Sequence, residues 1–170
     1  MPKALADGNT RLAILAAKPA DPDAPTVSEL EGGIDASCRV LKSDYRISAA
    51  ASDTIADAEL CAATNAQAYG AGNYEATITP FRYWDATDPG KSDEEGDLVF
   101  QALRHKGGIV YVAERMTGLT YDTPWEAGQE VNVYELLLDN PTKAGEAGGY
   151  IKYSQAPAVQ NAWEFGTVGA

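Results

Sequence analysis

The chain has 170 residues, 45% hydrophobic and 22% charged, which suits one folded domain able to bury its own core. Its 13 Lys and Arg stand against 25 Asp and Glu, a net charge of −12 shared by both halves. That balance argues against a tight nucleic-acid binder, which needs clustered positive charge. No apolar run approaches the ~18 residues of a membrane helix, and the residues after Met1 lack the apolar region of a signal peptide. Cys38 and Cys61 lie far apart and read as two small, reduced thiols.

Arg11 to Ala16 is a short apolar run suited to a buried strand. Pro19, Pro22 and Pro25 then forbid a helix and supply no ladder donors, so residues 18–26 form an extended arm. Thr26 can cap one helical turn, with Glu29 completing a capping box and Gly32-Gly33 ending it. Strands are expected around Cys38, Val40 and Leu41 and again over Tyr45 to Ala49. Residues 51–73, rich in Ala, Asp, Asn and Gly, lack a strong period; so long a stretch in a compact domain usually means a functional loop.

Tyr74 to Trp84 carries β-branched and aromatic residues and predicts a strand, with Pro80 implying an edge position or a bulge. Asp88-Pro89-Gly90 signals a turn. Ser92, with Glu95 three residues on, predicts the start of the one substantial helix. Leu98, Val99, Ala102 and Leu103 would form its apolar face, Arg104 to Lys106 its last turn, and Gly107-Gly108 its stop. Further strands are expected over residues 109–115, 130–137 and 150–153, and a last one through Val159 and Trp163 to Phe165. About seven strands and one helix fit a β-sandwich or part of a barrel.

Chemistry is hard to find in this chain. His105 sits at a helix C-terminus, where it complements the dipole. Nucleophile-elbow, phosphate-loop, Cys-x-x-Cys and zinc-protease patterns are absent from the sequence. The acidic residues at 93–95 are explained by a helix start, and those in strands by surface placement. No catalytic residue, cofactor site or metal site is assigned, and the chain is not expected to be an enzyme.

The order of several segments is more informative. Asp7-Gly8-Asn9-Thr10-Arg11-Leu12-Ala13-Ile14-Leu15 leads into the proline arm and then Thr26-Val27-Ser28-Glu29-Leu30-Glu31-Gly32-Gly33-Ile34-Asp35. Ser52-Asp53-Thr54-Ile55-Ala56-Asp57, Cys61 and Asn73-Tyr74-Glu75 follow, entering Phe81-Arg82-Tyr83-Trp84-Asp85. Over residues 7–155 this resembles the major tail tube proteins of long, non-contractile-tailed phages of actinobacteria.

The resemblance implies a mainly β protein, a β-sandwich flanked by a helix, with no catalytic residues and no cofactor. It implies six-membered rings whose inner sheets join into a continuous β-barrel, stacked into a tube through which the genome passes. Its partners would be copies of itself, together with tape measure, tail terminator and tail tip proteins. DNA would pass only transiently, and no membrane insertion is implied. The place would be the virion tail, after assembly in the host cytoplasm. On this reading residues 1–170 are a single domain with the arm 18–26, an assembly loop 51–73 and a C-terminal segment 156–170. Candidate inter-subunit contacts are Val27, Leu30, Ile55, Leu60 and Tyr69; candidate lumen acids are Glu75, Glu114, Glu130 and Glu135. Two other readings stay open: a head–tail connector ring, and a β-sandwich binding module using Trp84, Trp125 and Trp163 as stacking surfaces.

Overall fold

The computed structural model describes residues 3–170 apart from 58–59, 62, 64–66 and 144–147. The chain is mainly β. A five-stranded antiparallel sheet is built from β1 (Thr10–Leu15), β2 (Ile34–Asp35), β7 (Ile109–Met116), β8 (Glu130–Leu137) and β11 (Ala158–Thr167). Their spatial order is β11-β8-β7-β1-β2. The remaining strands form two-stranded ribbons: β3 (Arg46–Ala50) with β6 (Asn73–Thr77), β4 (Thr54–Ile55) with β5 (Ala68–Tyr69), and β9 (Thr142–Lys143) with β10 (Tyr153–Ser154). Two short α-helices, α1 (Val27–Glu31) and α2 (Leu98–Leu103), and one 3-10 turn, Lys42–Asp44, complete the regular elements among the described residues.

Strand side chains alternate between faces, so β1, β7 and β8 feed two cores. Leu12, Ile14, Val110, Val112, Tyr134 and Leu136 pack on one face with Val99 and Leu103 of α2 and Ile47 and Ala76 of the β3–β6 ribbon. Ala13, Leu15, Ala113, Val131 and Val133 pack on the other with Leu30 of α1, Trp125 and Val168. A sheet covered on both sides needs near-continuous apolar strands, which is how β1 and β7 read.

The capping box is present as expected: Thr26 Oγ1 accepts from Glu29 N, while the Glu29 carboxylate accepts from Thr26 N. The helix expected from Ser92 instead begins at Leu98. Asp93 Oδ1 accepts from Glu95 N and Gly96 N, closing a turn rather than a helix. Ser92 bridges Trp84. The register change turns Leu98 outward, 40% exposed, and buries Phe100 in its stead.

Asp97 holds this corner. Buried completely, it accepts from Arg82 Nε at 2.8 Å, Gln101 Nε2 at 2.6 Å and Tyr83 N at 3.1 Å. Burial pushes its carboxyl up, but these donors outweigh burial and leave its pKa lowered. The Arg82 guanidinium also lies over Phe100 at 4.1 Å and Trp84 at 4.7 Å.

The long stretch 51–73 also differs from expectation. β4 pairs with β5, Asp53 N donates to Ala71 O and Gly70 N to Asp53 O, so this part extends the β3–β6 hairpin as a ribbon. The share of that stretch at 58–59, 62 and 64–66 lies outside the described residues.

Leu103→Ala should lower stability by about 2–5 kcal/mol, as truncation at a buried site does. Leu98→Ala should stay within about 0.5 kcal/mol. Equal losses in chemical denaturation would contradict the observed start of α2.

Candidate assembly surfaces

Large apolar side chains left uncovered among the described residues include those on a ribbon, at the sheet edges and at Tyr150 and Ile151. Ile55 and Tyr69, which sit in the register positions of the β4–β5 ribbon, are exposed, Tyr69 to 84%. Leu60 in the connecting segment is fully exposed. Apolar side chains displayed on a projecting ribbon suit contact with another chain.

The other two candidate contacts lie elsewhere. Leu30 is 1% exposed and belongs to the core beneath α1, with Val27 packed against the same cluster. The proline arm is likewise occupied within its own subunit. Thr167 N donates to Asp23 O and Gly169 N to Pro25 O, while Ala20 N donates to Glu29 Oε1. Pro19 and Pro25 are buried. The arm therefore clamps the C-terminal strand to α1, and its apolar residues are covered without a partner.

The four candidate lumen acids do not share a surface. Glu75 is exposed on the ribbon beside Arg46, at 3.9 Å. Glu130 is exposed at the start of β8. Glu135 is five residues further, hence on the opposite face, where its carboxylate accepts from Asn161 Nδ2 at 2.7 Å. Glu114 is buried and accepts from Tyr45 OH at 2.5 Å and Asn132 Nδ2 at 3.4 Å.

Glu114 belongs to a polar seam between the sheet and the ribbon that the sequence reading did not single out. Glu164 accepts from Tyr134 OH and Tyr74 OH, each at 3.1 Å. Burial, then the neighbouring carboxylates, raises the pKa of Tyr45 and Tyr134, so both stay neutral donors. Burial also raises the Glu114 carboxyl; bonds from Tyr45 and Asn132 offset it in part, and Glu164 adds to it.

Beside this seam, at the β1–β2 edge, a groove of about 630 Å³ opens between the layers. Leu12, Val40, Ile47 and Met116 give it an apolar lining, Glu114 stands in its wall, and Lys42 and Arg46 border it. At the opposite edge, β11 has register shifts between Val159 and Asn161 and between Trp163 and Gly166. At the second of these Phe165 has φ +60, a left-handed conformation that an aromatic residue adopts only at a cost of about 1–3 kcal/mol. Glycine would ordinarily occupy such a position, but the glycine is needed next door: a Cβ on Gly166 would meet Asp23 O at 2.5 Å. Phe165 N donates to Asn132 Oδ1 at 2.8 Å, and the residue is 77% exposed.

The tryptophans divide. Trp125 is buried, with the guanidinium groups of Arg11 and Arg115 over its ring at 5.3 and 5.2 Å. Trp163 is half-buried with Lys18 beside it, and Trp84 is partly exposed over Arg82. They do not make one stacking platform. Among the described residues no group of three or more His, Cys, Asp or Glu is placed to hold a metal, and no helix is long and apolar enough to cross a membrane.

The raised carboxyl of Glu114 has a pH signature. Its contribution to stability is fully present below the unfolded pKa and is lost as pH rises through the higher folded value. Glu114→Gln should therefore gain in melting temperature relative to the parent on going from pH 4 to pH 8. A difference that is flat across that window would show that the charged form carries no penalty.

A family model described as phage tail tube protein matches residues 1–170, the whole chain. No curated protein matches it.

Proposed function

The chain belongs to the phage tail tube protein family and is a structural component of the phage tail; from this premise we propose that six copies close into a ring and that rings stack into the conduit for the genome. The whole-chain family match carries this reading, and the geometry supports it. Both faces of the main sheet are occupied within the subunit, so edges and ribbons are what remain for neighbours. A closed ring uses a heterologous contact, in which one edge of each copy meets the other edge of the next.

In this arrangement the β4–β5 ribbon, with Ile55, Leu60 and Tyr69, reaches an adjacent ring. The β3–β6 ribbon joins its neighbours toward the channel, and Glu75 is the acid best placed to line it. Tape measure, terminator and tip proteins complete the tail, assembled in the host cytoplasm, and the phage is of the long, non-contractile-tailed kind that infects actinobacteria. The acidity serves the passage of DNA. A basic lumen would hold the polyanion by counterion release, whereas carboxylates repel it mildly over about 8 Å at physiological salt.

Purified protein should yield rings that stack into tubes in negative-stain microscopy. Single closed rings would indicate a connector, and a persistent monomer a binding module; either would overturn the proposal. Replacing residues 53–72 with a short Gly-Ser linker should leave a folded subunit that no longer extends into tubes. Normal tubes from that variant would remove the ribbon from the stacking contact. Particles carrying Glu75→Lys should assemble yet eject DNA more slowly, most strongly at low salt. Ejection at the parental rate would show that Glu75 has no part in the channel's electrostatics.

A further inference from the structure

We propose that Phe165 of one copy seats in the groove beside β1 of the next, and that this knob and socket form the ring-closing contact; this rests on the ring reading above. The two features lie at opposite edges of one sheet and on one row across it. Phe165 sits at the bulge opposite Asn132, Asn132 pairs with Glu114, and Glu114 pairs with Leu12 in the groove wall. At roughly 4.8 Å per strand, that row spans about 14 Å from β11 to β1. A rotation that brings the β11 edge of one copy to the β1–β2 edge of another, sheets level, delivers Phe165 to the groove. No shift along the strands is needed.

The chemistry of the two sides is complementary. The socket is apolar, and the Lys42 and Arg46 that border it are paired with Asp7 and Glu75 of their own subunit, so its rim carries no excess of negative charge against an acidic neighbour. The knob is an exposed aromatic near two exposed acids: Glu130, paired with Thr167, and Asp23, whose carbonyl accepts from Thr167 N. The groove is larger than one benzyl group, so it takes Phe165 with the flanking backbone of the bulge. The left-handed backbone of Phe165 fits this role. The subunit alone gains little from an exposed ring in a strained conformation, and a neighbour that buries the ring recovers the cost.

Phe165→Gly separates folding from assembly, because glycine relieves the strained φ while removing the knob. The expected result is a melting temperature of the unassembled subunit at or above that of the parent, with the yield of rings and tubes reduced at least tenfold. Rings at parental yield would overturn the knob. Loss of rings together with a lowered melting temperature would overturn it too, since the residue would then be serving the fold. Placement is read by cross-linking, since Cys38 lines the groove and is exposed. Phe165→Cys in a Cys61→Ser background should give, on mild oxidation of assembled protein, a ladder of covalent multimers ending at the ring number. The two positions lie at opposite edges of the sheet, so the bond must join neighbours. Rings that form without that ladder would overturn the placement while leaving the tail tube assignment intact. If the parental protein forms no rings, the ring reading fails, and this contact with it.

Discussion

Burial of the five-stranded sheet on both faces is the constraint from which the rest of this subunit follows. α2 and the β3–β6 ribbon occupy one side; α1, Trp125 and the C-terminal Val168 occupy the other. Each apolar side chain so covered is worth about 1.5–3 kcal/mol, which leaves a neighbour little of either face beyond the groove beside β1. Association is pushed to the periphery, where the ladder ends at β2 and β11 and where the ribbon projects. The proline arm reinforces that division. By accepting backbone bonds from Thr167 and Gly169 it holds the last strand in place instead of reaching outward.

Much of this was legible locally. The Thr26–Glu29 box depends on residues three apart, and the strands at 109–116 and 130–137 announce themselves by apolar runs and alternation. What escaped depends on partners distant in sequence. Asp93 caps a turn because Asp97 is drawn into a buried pair with Arg82, fifteen residues earlier, so the helix cannot begin where its capping pattern suggests. Leu30, a candidate contact by sequence, is buried because the face of the sheet supplies α1 with a core to pack on. Glu130 and Glu135 were grouped by charge although their spacing places them on opposite faces. Glu114 was grouped with them although only the ribbon, and Tyr45 on its approach, reveal that it is covered. Phe165 carried no signal at all, since its conformation is set by how closely Asp23 approaches Gly166.

The polar seam explains why two carboxylates are tolerated between the layers. Buried polar groups are affordable only when satisfied. Here Tyr45, Tyr74, Tyr134 and Asn132 each direct a donor at Glu114 or Glu164. Arg115 on the other face follows the same rule only in part and without an acid, since its buried Nε has no partner among the described residues while its two terminal nitrogens are bonded. Its guanidinium donates to Thr120 O, Pro124 O and Gln129 Oε1, pinning the turn that carries Trp125. Both arrangements fix backbone more than they add net stability, as buried polar networks tend to do. The seam also ties the bulge to the groove wall, because Asn132 bonds Phe165 on one side and Glu114 on the other.

A subunit of charge −12 must assemble against its own repulsion. That repulsion acts over about a Debye length, roughly 8 Å at physiological salt, so attraction has to be short-ranged and local. Apolar contact provides range of that kind, and the groove supplies it where Lys42 and Arg46 are balanced by Asp7 and Glu75 of the same subunit. The same acidity discourages indiscriminate pairing of the open β11 edge, and the two bulges in that strand disrupt a regular ladder there as well. An edge that repels and is irregular, yet offers one exposed aromatic at a fixed level, can reject wrong partners while accepting a copy that presents the matching groove. Selectivity then resides in the level of the row and not in the strength of any one contact, which is what a ring requires if each copy is to meet its neighbour in the same way.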